Sequence, residues 1–174
     1  TVLTYMIEGG SSKNHEKVKF KLKKERKELL EIIDILTEFS SMYLIEQIKS
    51  GADVVKIFES WAGLLEDEEY FDFIIKPNKR ILKNIKKFFP ETPVACFPRN
   101  SELKILKFIE NVECDIISLD EKFPEKLIEA KADINKRLRL PHYDKTNKFH
   151  ILDTNSTALN VSIYSNNFDL FSLL

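Results

Sequence analysis

The sequence predicts an α/β protein with a parallel sheet, and three observations predict it. Runs 52–59, 94–97 and 114–119 are short, apolar and bounded by turn residues, as buried strands are. Segments with apolar residues at three- and four-residue spacing precede and separate them. The links are short. Strands alternating with helices at this spacing mark right-handed βαβ units, which build either an open α/β sheet or a (β/α) barrel. Periodicity does not choose between the two.

Residues 1–12 are a short apolar stretch that closes on the turn signal Gly9-Gly10-Ser11-Ser12. Residues 13–27 carry eight Lys/Arg against Glu16 and Glu25, interleaved with Val18, Phe20 and Leu22, and read as a solvated helix or edge face. Residues 28–49 read as a long helix, with Leu29, Ile32, Ile33, Leu36, Phe39, Tyr43 and Leu44 as its apolar stripe. Gly51 stands where a left-handed cap ends such a helix. The first strand, 52–59, follows. Glu66–Glu69 place negative charge where a helix begins, favourable against its dipole. Residues 70–89 continue as helix, with Ile81, Leu82, Ile85, Phe88 and Phe89 on one face. Pro77 kinks it or starts a second helix. After the turn 90–93 comes the second strand. Ser101 is expected to cap a helix running to about Asn111, with Glu102 in its first turn. The third strand is 114–119, and 124–132 is a further helical piece. From Pro141 to Leu174, fifteen of 34 residues are Ser, Thr, Asn or Asp, and the alternation ends.

Composition narrows the function. The chain has 174 residues, 27 Lys/Arg and 28 Asp/Glu, so a net charge of −1. That balance speaks against a wholesale nucleic-acid binder, and 43% hydrophobic content speaks against extensive disorder. No run approaches the length of a membrane span. The start has no signal-peptide pattern. Cys96 and Cys114 are too few for a disulfide framework and lack CxxC spacing; both fall in expected strands and read as small buried hydrophobes. His15, His142 and His150 show no metal-ligand spacing. The expectation is a globular, cytosolic protein without a nucleic-acid or membrane partner. Residue 1 is threonine, so the chain is expected to begin inside something longer or after processing. Glycine is scarce, at four residues.

In α/β folds, ligands bind at the carboxyl ends of the strands. Here those ends are 58–63, 97–100 and 119–121, with 5–12 on the same rim. At these positions the sequence resembles the uroporphyrinogen decarboxylase family. TYMIEGGSSK at 4–13 is similar to that family's loop after the fourth barrel strand. QIKSGADVVKIFESWAGLL at 47–65 resembles the fifth strand and its loop, FPRN at 97–100 the end of the sixth, and DIISLD at 115–120 the seventh. The resemblance runs in one register to about residue 130 and implies a partial (β/α)8 TIM barrel, strands 5–7, over residues 1–132, with a divergent polar tail at 133–174.

The departures are equally specific. The family is about twice this long. Its arginine-rich loop and the aspartate beneath the tetrapyrrole have no counterpart here, nor do its glycine-asparagine-leucine-aspartate-proline segment and its glycine-flanked histidine. A proline-tyrosine pair becomes Pro77-Asn78, and a tryptophan after the seventh strand becomes Glu121. A truncated gene or shifted reading frame accounts for this pattern economically.

The resemblance implies removal of carbon dioxide from four acetate side chains of uroporphyrinogen, giving coproporphyrinogen, with no metal or organic cofactor and a tendency to homodimerise. Electrostatic preorganisation is the protein's task in such a reaction. Tyr5 and Ser60 match substrate-binding positions. Arg99 and Asp120 are further candidates at strand ends, although a solvated loop arginine and a turn or capping aspartate are the favoured readings. Glu59 reads equally as a buried ion-pair partner, and Trp61 as packing. No residue stands out as catalytic. The chain is expected to be inactive alone. The alternatives are a non-catalytic barrel remnant or interaction protein and, less favoured for want of a His/Cys zinc cluster, a corrinoid-dependent methyltransferase of the same superfamily.

Overall fold

A computed structural model describes residues 1–10 and 12–120, together with the backbone of 161–164. The helical piece expected at 124–132 lies outside the described residues, as does most of the polar tail. Three helices come first: α1 (Val2–Glu8), α2 (Glu16–Lys24) and α3 (Arg26–Lys49). Strand β1 (Val55–Glu59) leads through a 3-10 turn, Ala62–Leu64, to α4 (Asp67–Tyr70). A π turn at Phe71–Ile75 joins α4 to α5 (Lys76–Phe88). Then come β2 (Val94–Pro98), α6 (Lys104–Asn111), β3 (Ile116–Leu119) and β4 (Val161–Tyr164).

The sheet runs β1-β2-β3-β4. The first three strands are parallel, with Val55 opposite Val94 and Ala95 opposite Ile116. β4 pairs with β3 antiparallel, Ile117 opposite Ile163. The alternating order read from the sequence therefore yields the parallel α/β arrangement, and β4 adds a strand that the composition of the tail did not signal.

At the amino ends of the strands, Asp115 ties neighbours together. Its carboxylate accepts from the Val94 N–H at 2.8 Å and pairs with Lys86 at 2.8 Å. Side-chain alternation then sorts β1 into two faces. Val55 and Ile57 are buried among the helices' apolar residues, while Lys56 and Phe58 project to the other side.

Helix α3 corrects the sequence reading of its own face. Its buried residues are Leu29, Thr37, Ser41, Leu44 and Ile48, whereas Phe39 and Tyr43 are about two-thirds exposed, at 64% and 66%. The small Thr37 and Ser41 let α3 approach α5. Their hydroxyls donate back to Ile33 O and Thr37 O, and Ser41 also accepts from Asn84 Nδ2 at 3.1 Å. Satisfied hydroxyls cost little to bury. Leu29 and Leu44 are buried as expected, and Ile32, Ile33 and Leu36 pack partly buried against the core; hydropathy patterning errs in ranking Phe39 and Tyr43 above Thr37 and Ser41. On α5, Ile81, Leu82 and Ile85 are buried as expected, each contributing roughly 1.5–3 kcal/mol. Phe88 lies outside that face and is exposed.

The helix around Pro77 is accommodated by the π turn. Lys76 N–H donates to the Phe71 carbonyl, five residues back. One turn is thus widened just before the residue that cannot donate. Asp72 within this turn accepts from Arg26 at 2.7 Å and Lys76 at 2.6 Å, fastening the start of α3 to it.

Two other expectations change. Ser101 is not a helix cap: α6 begins at Lys104 after a turn in which Asn100 and Glu102 have positive φ, 57° and 49°. Cys114 precedes β3 rather than lying in it, and is only partly buried, while Cys96 is fully buried in β2.

Candidate functional site at the carboxyl ends of the strands

The loop after β1 is the centre of the rim, and its conformation depends on Gly63. A Cβ there would lie 2.3 Å from the Asn100 carbonyl oxygen and 2.6 Å from Asn100 Cβ. Real Cβ atoms do not approach so closely. Glycine lets the loops after β1 and β2 touch, and Gly63 N–H donates to Arg99 O at 3.1 Å. Gly9 serves differently. At φ 77° it closes α1 in the left-handed conformation, turning the chain towards α2.

Tertiary contact brings the two quoted motif segments together. The Thr1 hydroxyl accepts from Ser60 N–H at 2.7 Å and donates to Glu59 Oε2 at 3.2 Å. Tyr5, on α1 and 46% exposed, meets Trp61 edge-on with ring centroids 6.2 Å apart. His15 packs against the same indole at 4.3 Å. It is 3% exposed at φ 53°, its backbone N–H donating to Ser12 Oγ. Trp61 is thus packing, held between α1 and the start of α2. Among the described residues, buried His15 Nδ1, Trp61 Nε1 and Asn100 Oδ1 have no hydrogen-bond partner.

The other sequence candidates fall into place on the same rim. Ser60 is partly buried, immediately after β1. Arg99 is exposed, and its backbone rather than its guanidinium does the local bonding, N–H to Glu59 O at 3.2 Å. Asp120 accepts from the Asn100 N–H, which makes it an anchor for the loop after β2. Glu59 faces the helices and binds Thr1 and Asn78.

Three residues of the site, Asn78, Tyr70 and Lys56, escaped sequence reasoning. Asn78 is fully buried; its amide donates to Ile74 O at 2.8 Å and Glu59 Oε1 at 3.4 Å, and its oxygen lies 3.9 Å from Cys96 Sγ. It locks α5 to β1 and β2. Tyr70 is also fully buried, its hydroxyl donating to Ser101 Oγ at 2.8 Å, and Ser101 donates to Pro98 O at 2.7 Å. Burial first, with the nearby Glu59 charge, pushes the Tyr70 hydroxyl well above its usual range. Lys56 and Phe58 form the third feature. Lys56 Nζ sits 4.8 Å from the Phe58 ring centroid and 5.2 Å from that of Phe97, and the two rings meet edge to face at 6.0 Å. Burial lowers the Lys56 pKa. The period-two alternation of a strand is the signal that places Lys56 and Phe58 on the face away from the helices; that Phe97 completes the pair depends on the sheet register.

A parallel sheet flanked by helices, with aromatic and hydrogen-bonding side chains gathered where its strands end, defines an α/β protein of the kind that binds ligands at that end. The particular family is clear from sequence: residues 1–140 match the uroporphyrinogen decarboxylase (URO-D) family, to which the chain belongs. It is 46% identical over 125 residues to a uroporphyrinogen decarboxylase of Rickettsia bellii, covering 71% of this chain and 36% of that relative. It is 42% identical over 134 residues to one from Rickettsia conorii, covering 76% of this chain and 38% of the relative. The chain therefore spans little more than a third of the length of these relatives.

Proposed function

We propose that β1, β2 and β3 are the fifth, sixth and seventh strands of a (β/α)8 barrel over residues 1–132, with 133–174 as a separate segment. In this reading, the rim is part of a site that takes uroporphyrinogen and, in a whole protein, releases carbon dioxide from its four acetates. The observation carrying the proposal is the seating of α1 against the β1 loop. Thr1 on Ser60 and Tyr5 on Trp61 put both quoted segments at one end of one sheet.

Tyr5 and Ser60 are the substrate-binding groups of this portion. A half-exposed phenol and a partly buried serine at a strand end are suited to hydrogen-bonding carboxylates. Arg99 adds exposed positive charge, and Asp120 holds the β2 loop. The arginines and the ring-binding aspartate implied by the resemblance have no counterpart among the 174 residues, so this chain binds tetrapyrrole without decarboxylating it alone. A cytoplasmic setting and a homodimer belong to the same reading, the latter checked by light scattering. The main test pairs uroporphyrin binding with turnover of uroporphyrinogen. Binding without coproporphyrinogen formation is expected. Absence of binding rejects the tetrapyrrole reading, and turnover above background rejects the partial-site reading.

A further inference from the structure

We propose that Lys56 is a carboxylate anchor of this site, presenting its ammonium from between Phe58 and Phe97 on the sheet face opposite the helices. The inference rests on the tetrapyrrole reading above and adds to it a cation that the quoted motifs do not include.

Four observations carry it. Lys56 and Phe58 are spaced by two and share one face of β1, and Ser60 follows in the turn just beyond the strand's carboxyl end. The ammonium is 4.8 Å from the ring of Phe58, the next side chain on that face towards the carboxyl end. The flanking residues are aromatic. Ring faces attract a cation but do not neutralise it, and in a partly desolvated setting the charge retains its demand for an anion. The neighbouring carboxylate, Glu59, is on the opposite face and is already engaged with Thr1 and Asn78. No ion pair of Lys56 occurs among the described residues.

A ligand suited to this arrangement is an apolar ring system bearing carboxylates. Its ring packs on Phe58, which is 53% exposed, and one carboxylate meets the ammonium. Lysine serves as a point charge here, without the fixed fork of an arginine.

The test uses the whole chain with uroporphyrin, followed by porphyrin fluorescence, and compares wild type with Lys56→Met and Lys56→Arg. Loss of one charge-assisted contact weakens binding roughly 10-fold or more in Lys56→Met, and Lys56→Arg restores most of it. As a second measurement, amine-specific acetylation of wild type is mapped by mass spectrometry. Uroporphyrin is expected to protect Lys56 while leaving lysines of α2 reactive, which needs no variant to fold. If Lys56→Met binds as wild type does, or if bound uroporphyrin leaves Lys56 unprotected, the anchor is rejected and the tetrapyrrole reading stands. If wild type binds no uroporphyrin, that reading fails and the anchor with it.

Discussion

Replacing Gly63 by alanine tests whether the rim depends on contact between the loops after β1 and β2. The added methyl would meet the Asn100 carbonyl oxygen at 2.3 Å and Asn100 Cβ at 2.6 Å. The carbonyl belongs to the backbone, and the Asn100 N–H is itself bound to Asp120, so neither loop yields without losing something. Overpacking of this kind costs about 1–3 kcal/mol. Separation of the loops also breaks the Gly63 N–H to Arg99 O bond, worth about 1 kcal/mol. The expected loss is about 2–4 kcal/mol, which at a urea m-value of about 2 kcal/mol/M lowers the midpoint by about 1–2 M. Trp61 is the single tryptophan and stands two residues away, so its emission reports this loop directly. Urea titration followed by Trp61 fluorescence and by far-ultraviolet dichroism is the assay. A shift of emission in the absence of urea would show that the loop moves in the folded state. A Gly63→Ala midpoint within about 0.2 M of wild type, with unchanged emission, would refute the close approach.

The remaining expectations concern the framework. Ser41→Leu should destabilise by about 1–3 kcal/mol because it crowds the α3–α5 contact, while Phe39→Ala should stay within about 0.5 kcal/mol; the reverse order in thermal melts would restore the stripe read from hydropathy. Asp72→Asn should cost at most about 1 kcal/mol at neutral pH. Lys76, by its hydrogen bond first, and Arg26 hold the Asp72 carboxyl below its usual range. Its contribution is therefore full above about pH 4, the unfolded value, and disappears as pH falls through the lower folded one; a wild-type-minus-variant difference that grows on acidification contradicts this. The contact with Cys114 and burial both push the Cys96 thiol up. In a thiol-counting assay at pH 8, Cys114 should react first and Cys96 only on unfolding; equal rates count against the buried β2 position.

Much of the fold was legible because its signals are local. Strand–helix alternation, Gly51 at the end of α3 and acidic residues at the start of α4 each act within a few residues. The face of α3 was legible only in part: Leu29 and Leu44 are buried, but Phe39 and Tyr43 are exposed. Which side of a helix is buried depends on what packs against it, and α5 selects the small hydroxyl side. Ser101 likewise has the residue type of a cap, but Tyr70, 31 positions away, takes its oxygen as a partner.

The site divides in the same way. Ser60, Arg99 and Asp120 directly follow the carboxyl ends of β1, β2 and β3, whereas Tyr5 lies on α1, and Gly63 is forced by the close approach of Asn100. Sequence by itself determined the order of elements from α3 to β3, the parallel strand–helix pattern and the segments that form the rim, because spacing and backbone permissiveness are written into consecutive residues. Only the tertiary structure decided that Trp61 packs between Tyr5 and His15, that Asn78 reaches Glu59, and that Lys56 lies between Phe58 and Phe97. Each of those contacts joins residues remote in the chain or settles a face through sheet register, and the energy that fixes them comes from the whole core rather than from any one segment.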